Sequence, residues 1–152
     1  MSTWNASLAV GHPAIDQQHQ ELFAHADRLS AALRNGRARE EVLHLVGFLR
    51  DYTHLHFRSE EELMRDQGYP EAAAHETKHR AFERRLDGLE SRARAHGSST
   101  SIALEISALV KGWLVDHIGV DDVKVAAFSA THTAHKFVIP VANRNRRKAG
   151  SR

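Results

Sequence analysis

Apolar and polar positions along the chain fall into four long runs with the three-and-four spacing of helices that bury one face, and strand-like alternation is not sustained anywhere. The first stripe reads Ile15, His19, Leu22, Ala26, Leu29, Leu33, and the second Val42, Leu45, Leu49, Tyr52, His56, Glu60, Leu63. The third reads Ala72, His75, His79, Phe82, Leu86, Leu89, and the fourth Ile102, Ile106, Leu109, Trp113, His117, Val120. Turn and cap chemistry at "NGR" (35–37), "QGYP" (67–70) and "HGSST" (96–100) separates them. The spacing therefore predicts helices over about 16–34, 39–65, 71–95 and 100–127. Connections this short make successive helices antiparallel neighbours, so the expected architecture is an all-α, up-down-up-down four-helix bundle.

Composition narrows the picture. A chain of 152 residues suits one domain. No apolar run approaches the roughly 18 residues that a membrane span needs, so no membrane partner is expected. The start, "MSTWNASLAVGHP", lacks the charged head and apolar stretch of a secretory signal, which points to the cytosol. With no cysteine, thiolate metal sites and disulfides are excluded, whereas twelve histidines are a large supply of imidazole. The charge is uneven. Residues 129–152 hold Lys136, Arg144, Arg146, Arg147, Lys148 and Arg152 and no acid, and the rest of the chain is net negative. That basic end is read as a solvated, flexible tail, with contact to nucleic acid or a protein partner as the lesser alternative.

The chemistry lies where the stripes are interrupted. Each carries at least one imidazole on the face that should be apolar, near the start, end, start and end of successive antiparallel segments, which sets them at one level of the bundle. One such histidine is ordinary. Several together are costly, because burying a polar group without a partner costs roughly 2–7 kcal/mol, and a domain has only about 5–15 kcal/mol to spare. A cation would offset that cost, and imidazole with carboxylate suits first-row metals such as iron or zinc. His75 with His79, and His56 with Glu60, are four apart and point the same way. Glu61 and Glu62 turn off the stripe and read as solvated. Five histidines with a carboxylate exceed what one ion with an open position needs, so two metals bridged by carboxylate follow.

This constellation resembles the hemerythrin family, specifically its bacterial single-domain members, through "W…VGHPAIDQQHQELF", "HFRSEEELM", "HETKHRAF" and "WLVDHIGVDD" over about residues 4–125. The resemblance implies a left-handed four-helix bundle over 1–128 with the basic extension outside it. It also implies two irons joined by an oxo or hydroxo group and two carboxylates. By motif, one iron falls to His75, His79 and His117, and the other to His19 and His56 with one position open. Glu60 matches one bridging carboxylate and Asp122 the other. Uniform helical phase disagrees about the last, since Asp121 lies four after His117 and closer to the stripe, while Asp122 lies about 140° away. The motif is followed and Asp121 is the alternative. Val125 stands where the family has an aromatic residue.

The implied function is reversible O2 binding for storage, delivery or sensing, in a protein that is not an enzyme. The alternatives are a diiron enzyme reducing peroxide or nitric oxide, and a sensor signalling to a partner. Leu22, Phe57, Trp113, Leu114 and Ile118, by neighbourhood to the ligands, are candidates for a dry O2 pocket. Two Glu-x-x-His units, Glu41 with His44 and Glu76 with His79, evoke ferritin-like oxidases but fail on phase. His12, His25, His44, His54, His96, His132 and His135 lie off the stripes and are expected at the surface.

Overall fold

The computed structural model describes residues 4–37, 39–96 and 100–132. After a single 3₁₀ turn, Ala6–Leu8, four long helices follow: α1 Pro13–Arg34, α2 Arg39–Gln67, α3 Ala72–His96 and α4 Thr100–His117. A π-helical turn, Ile118–Asp122, then leads without a break into α5, Val123–His132. α1 packs on α2 and α4, and α3 packs on the same two, which is the closed ring of a four-helix bundle.

Local chemistry sets the boundaries. Pro13 opens α1, where its missing N–H costs nothing, and Asp16 in the first turn accepts from the backbone N–H groups of Val10 and Gly11. That contact pins the leading segment across the mouth of the bundle and seats Trp4 against Phe23 and His19. Gly36 and Gly68 end α1 and α2 with φ of +61° and +66°, the left-handed conformation that glycine adopts without a Cβ penalty.

The core has two parts with the polar residues between them. A large cluster runs from Leu29, Val46 and Ile106 at one end to Leu22, Phe57, Leu114 and Ile118 beside the polar level. A small one joins Met64, Tyr69 and Val125, with Phe128 against it, at the other end. Val125, standing where an aromatic residue was expected, therefore packs as plain core.

Three expectations need correction. In α2 the buried face is rotated: Val46, Thr53, Phe57 and Met64 are buried, while Leu45, Tyr52 and Leu63 are only partly so. α2 has to cover α1, α3 and, at its end, α5, so its core face is wider than one stripe. His25 is buried rather than at the surface, edge-on to Phe48 and Tyr52. Val120 is more than half exposed, because the π turn swings it out. α5 runs to His132, and the rest of the basic tail, with His96's side chain and His135, lies outside the described residues. No helix among the described residues is long and apolar enough to cross a membrane.

Candidate metal centre

His19 from α1, His56 and Glu60 from α2, His75 and His79 from α3, His117 from α4 and Asp122 from the π turn meet in the bundle interior, all buried. They form two overlapping groups whose ligand atoms lie within 4.8 Å of one another: Glu60, His75, His79, His117 and Asp122, and His19, His56 and Asp122. The shared member decides the disagreement over phase. In a π turn the hydrogen bonds run from i to i+5, so the residue five after His117 returns to His117's face. Asp122 accordingly points inward, with Oδ1 2.9 Å from His117 Nε2 and Oδ2 2.9 Å from His19 Nε2. Asp121 reaches the other ring nitrogen of His117 instead, Oδ2 to Nδ1 at 3.0 Å.

Nε2 is the atom that every imidazole presents. Those of His75 and His79 each lie 3.2 Å from Glu60 Oε2, that of His79 lies 3.1 Å from that of His117, and that of His19 3.2 Å from that of His56. Protons cannot satisfy all of these contacts. Among the described residues Glu60 Oε1 and Asp122 Oδ1 are buried without a hydrogen-bond partner, the latter although His75 and His117 lie close to it. Orphaned carboxylate oxygens facing a ring of imidazole nitrogens are what a cation would satisfy.

An outer layer fixes three of the rings. His79 Nδ1 donates to Glu61, His117 Nδ1 faces Asp121, and His56 Nδ1 donates to Gln18 Oε1 at 2.9 Å. Each contact places the proton on Nδ1 and leaves Nε2 free to face inward. Glu61 is held in turn by Arg58 and Arg80, Asp121 by Lys78, and Gln18 by Ser59. The reading of Glu61 as solvated is thus overturned, while Glu62 is exposed as expected. Glu61 and Gln18 were missed as partners. Each neighbours a cluster residue in sequence, and the only signal for Glu61 was the basic residue three before it.

Electrostatics reflect a site arranged for positive charge. Burial, then the Asp122 charge, pushes the Glu60 carboxyl up to about 8. Burial opposes ionisation of Asp122 too, but contacts from His117, His19, His56 and His75 outweigh it and hold that carboxyl well below its ordinary value. Burial alone would lower His75; the carboxylates of Asp122 and Glu60 win and raise it to about 9. Burial, with the neighbouring imidazoles, drives His79 down to about 2.

Aromatic rings close one flank. Phe57 stacks on His79 at 3.8 Å and 6°, and Trp113 on His117 at 4.1 Å and 16°. Leu22, Leu114 and Ile118 are fully buried nearby, whereas Trp113 is only partly buried. Glu41 and His44 are exposed, away from the cluster.

Comparison with known proteins identifies the family. The Hemerythrin family model, described as the Hemerythrin HHE cation binding domain, matches residues 10–128. A bacteriohemerythrin of Stenotrophomonas maltophilia is 34% identical over 119 residues, covering 78% of this chain and 75% of that protein. A hemerythrin-like protein of Naegleria gruberi is 30% identical over 121 residues, covering 80% and 87%. A crystal structure of wild-type hemerythrin superposes with a TM-score of 0.78 at 27% identity, covering 86% of this chain and 98% of that one. The chain belongs to the hemerythrin family.

Proposed function

We propose that the chain binds O2 reversibly at a non-haem diiron centre. The observation that carries this reading is the pair of overlapping donor groups, five imidazoles and two carboxylates with no thiolate, sharing Asp122 and containing orphaned carboxylate oxygens. His75, His79 and His117 would hold one iron and His19 and His56 the other, with Glu60 and Asp122 bridging. Once bound, the pair would supply two electrons, one per iron, to an O2 molecule at the open position beside His19 and His56.

The protein's own part is positioning and exclusion. Outer hydrogen bonds from the imidazole Nδ1 atoms to Glu61, Asp121 and Gln18 orient the donors before any metal arrives, so little reorganisation is needed. Leu22, Phe57, Leu114 and Ile118 keep the interior apolar, and a dry site offers the bound gas no spare proton. We further assign Leu22, Phe57, Trp113, Leu114 and Ile118 to the gas pocket. Phe57 and Trp113 stack on His79 and His117, Phe57 also lies tilted at 5.8 Å from His56, and Trp4 lies near His19. A ligand set dominated by neutral imidazole favours the ferrous state and so favours a carrier over an oxidase.

The test is a gas cycle on iron-loaded protein. Anaerobic reduction should bleach it, air should raise a charge-transfer band in the visible, and argon purging should remove that band again. A band that air creates and purging never removes would replace the carrier with an oxidising enzyme.

A further inference from the structure

A groove of about 820 Å³ runs along the outside of the bundle between α3 and α4, with Arg84, Arg85, Gly88, Arg92, Gly112 and Trp113 among its lining. Gly88 and Gly112 sit inside helices, where each costs roughly 0.5–1 kcal/mol relative to alanine. A Cβ at either would meet nothing within 4 Å, and neither has a positive φ. Packing and backbone therefore do not require these glycines, and their effect is an open floor. Trp113, partly buried at that floor, is stacked on His117 at 4.1 Å and on Phe82 at 4.2 Å. An object seated in the groove would thus touch a ring in van der Waals contact with a metal-facing imidazole.

The rim is charged. Arg92 lies 3.7 Å from Glu105, and Asp116 is a second acid. Arg84 and Arg85 have no carboxylate partner among the described residues. The unpaired positive charge selects an anionic surface. The groove's walls are exposed along their length, which leaves a small ion hydrated but lets the edge of a protein cover them.

We propose that this groove is the docking surface for an acidic electron-transfer protein, which delivers electrons to the metal centre across the Trp113–His117 stack. The inference rests on the diiron reading. In each encounter the donor would lose one electron and one ferric ion would gain it, and the proton that an oxo bridge takes up on reduction would come from solvent. Two encounters return an oxidised pair to the state able to bind O2. Two flat rings in contact give far better electronic coupling than the same distance through solvent, and the contact needs only the small, transient interface common to redox encounters.

Two experiments test the proposal separately from the metal reading. In the first, protein loaded with zinc, which the same donors accept, is titrated with hexacyanochromate(III), a paramagnetic, redox-inert anion, and followed by NMR. Outside the basic tail, broadening should concentrate at the amides of Gly88 and Gly112 and the Trp113 indole, and should vanish there in R84A/R85A. Broadening concentrated elsewhere within residues 4–128, or groove broadening unchanged in that variant, would overturn the groove as the anion surface. In the second, iron-loaded oxidised protein is mixed with a reduced plant-type ferredoxin, an acidic one-electron carrier. R84E/R85E should slow reduction at least about tenfold at low salt, and Gly112→Leu, which fills the floor, should slow it as well. Reduction by cationic hexaammineruthenium(II) should not be slowed by R84E/R85E. Equal ferredoxin rates in wild type and R84E/R85E, or a dimer in sedimentation that buries this face, would sink the proposal. If the protein takes up no iron, the first experiment still decides the docking surface.

Discussion

The two sides of the metal centre are built differently. Around His75, His79 and His117 the outer partners are carboxylates, Glu61 and Asp121, each tied to a cation, and two aromatic rings lie flat on the imidazoles. Around His19 and His56 the corresponding partner is a neutral amide, Gln18. Among the described residues His19 Nδ1 has no hydrogen-bond partner, and the aromatic neighbours are tilted, Trp4 at 6.4 Å from His19 and Phe57 at 5.8 Å from His56. Anionic partners make an imidazole a stronger donor, and stacked rings leave it nowhere to move. The asymmetry fits the proposed division of labour: one side would be clamped to retain an ion, and the other held loosely enough to keep a position for a ligand.

Removing what the two sides share should have the largest effect. Asp122→Asn takes away the carboxylate common to both donor groups, and iron should fall from two per chain to one or none, read by elemental analysis. Next in size is pH. Between about 6.5 and 9 the metal-free fold keeps His75 protonated where the unfolded chain does not, and up to about 8 it keeps Glu60 protonated as well. The folded state then binds more protons than the unfolded one, so the metal-free protein should lose stability as pH rises through this window. Metal displaces those protons, so the gain in Tm on loading should grow from pH 6.5 to 9. Because His75 belongs to the clamped side alone while Glu60 would be shared, uptake of the ion on that side should be the more pH-dependent; a pH-independent gain would contradict this.

Breaking the clamp alone comes third. Glu61→Gln should weaken retention of the ion at His75, His79 and His117 by about 10–100-fold in a chelator competition. Gln18→Ala on the loose side should cost less than tenfold in the same assay, and an equal loss in both variants would erase the asymmetry. Smallest is Glu62→Gln, next in sequence to Glu61 but exposed, which should change stability by no more than about 0.5 kcal/mol.

Much of this was legible in the sequence because two periodic signals agreed. Turn residues at 35–37 and 67–70 marked real helix ends, and polar interruptions in four stripes do meet at one level. What escaped notice did so for physical reasons. Stripe analysis assumes a constant advance of about 100° per residue, and the π turn breaks that assumption between His117 and Asp122. It therefore misplaced Val120 and left Asp121 as a rival. Outer partners are a different failure. Glu61 and Gln18 sit on the flank of the stripe, and a buried acid there looks like a solvated one until the Arg58 and Arg80 that cover it are known to be close. His25 was missed similarly: its covering rings come from α2, far away in sequence.

The measurement that tests the account most directly is the crystal structure of the iron-loaded chain with anomalous data at the iron edge. The account predicts two irons sharing Glu60 and Asp122, three imidazoles on the side of Glu61 and Asp121, two imidazoles and an exchangeable position on the side of Gln18. A single iron, or two irons with His19 and His56 unattached, would contradict it.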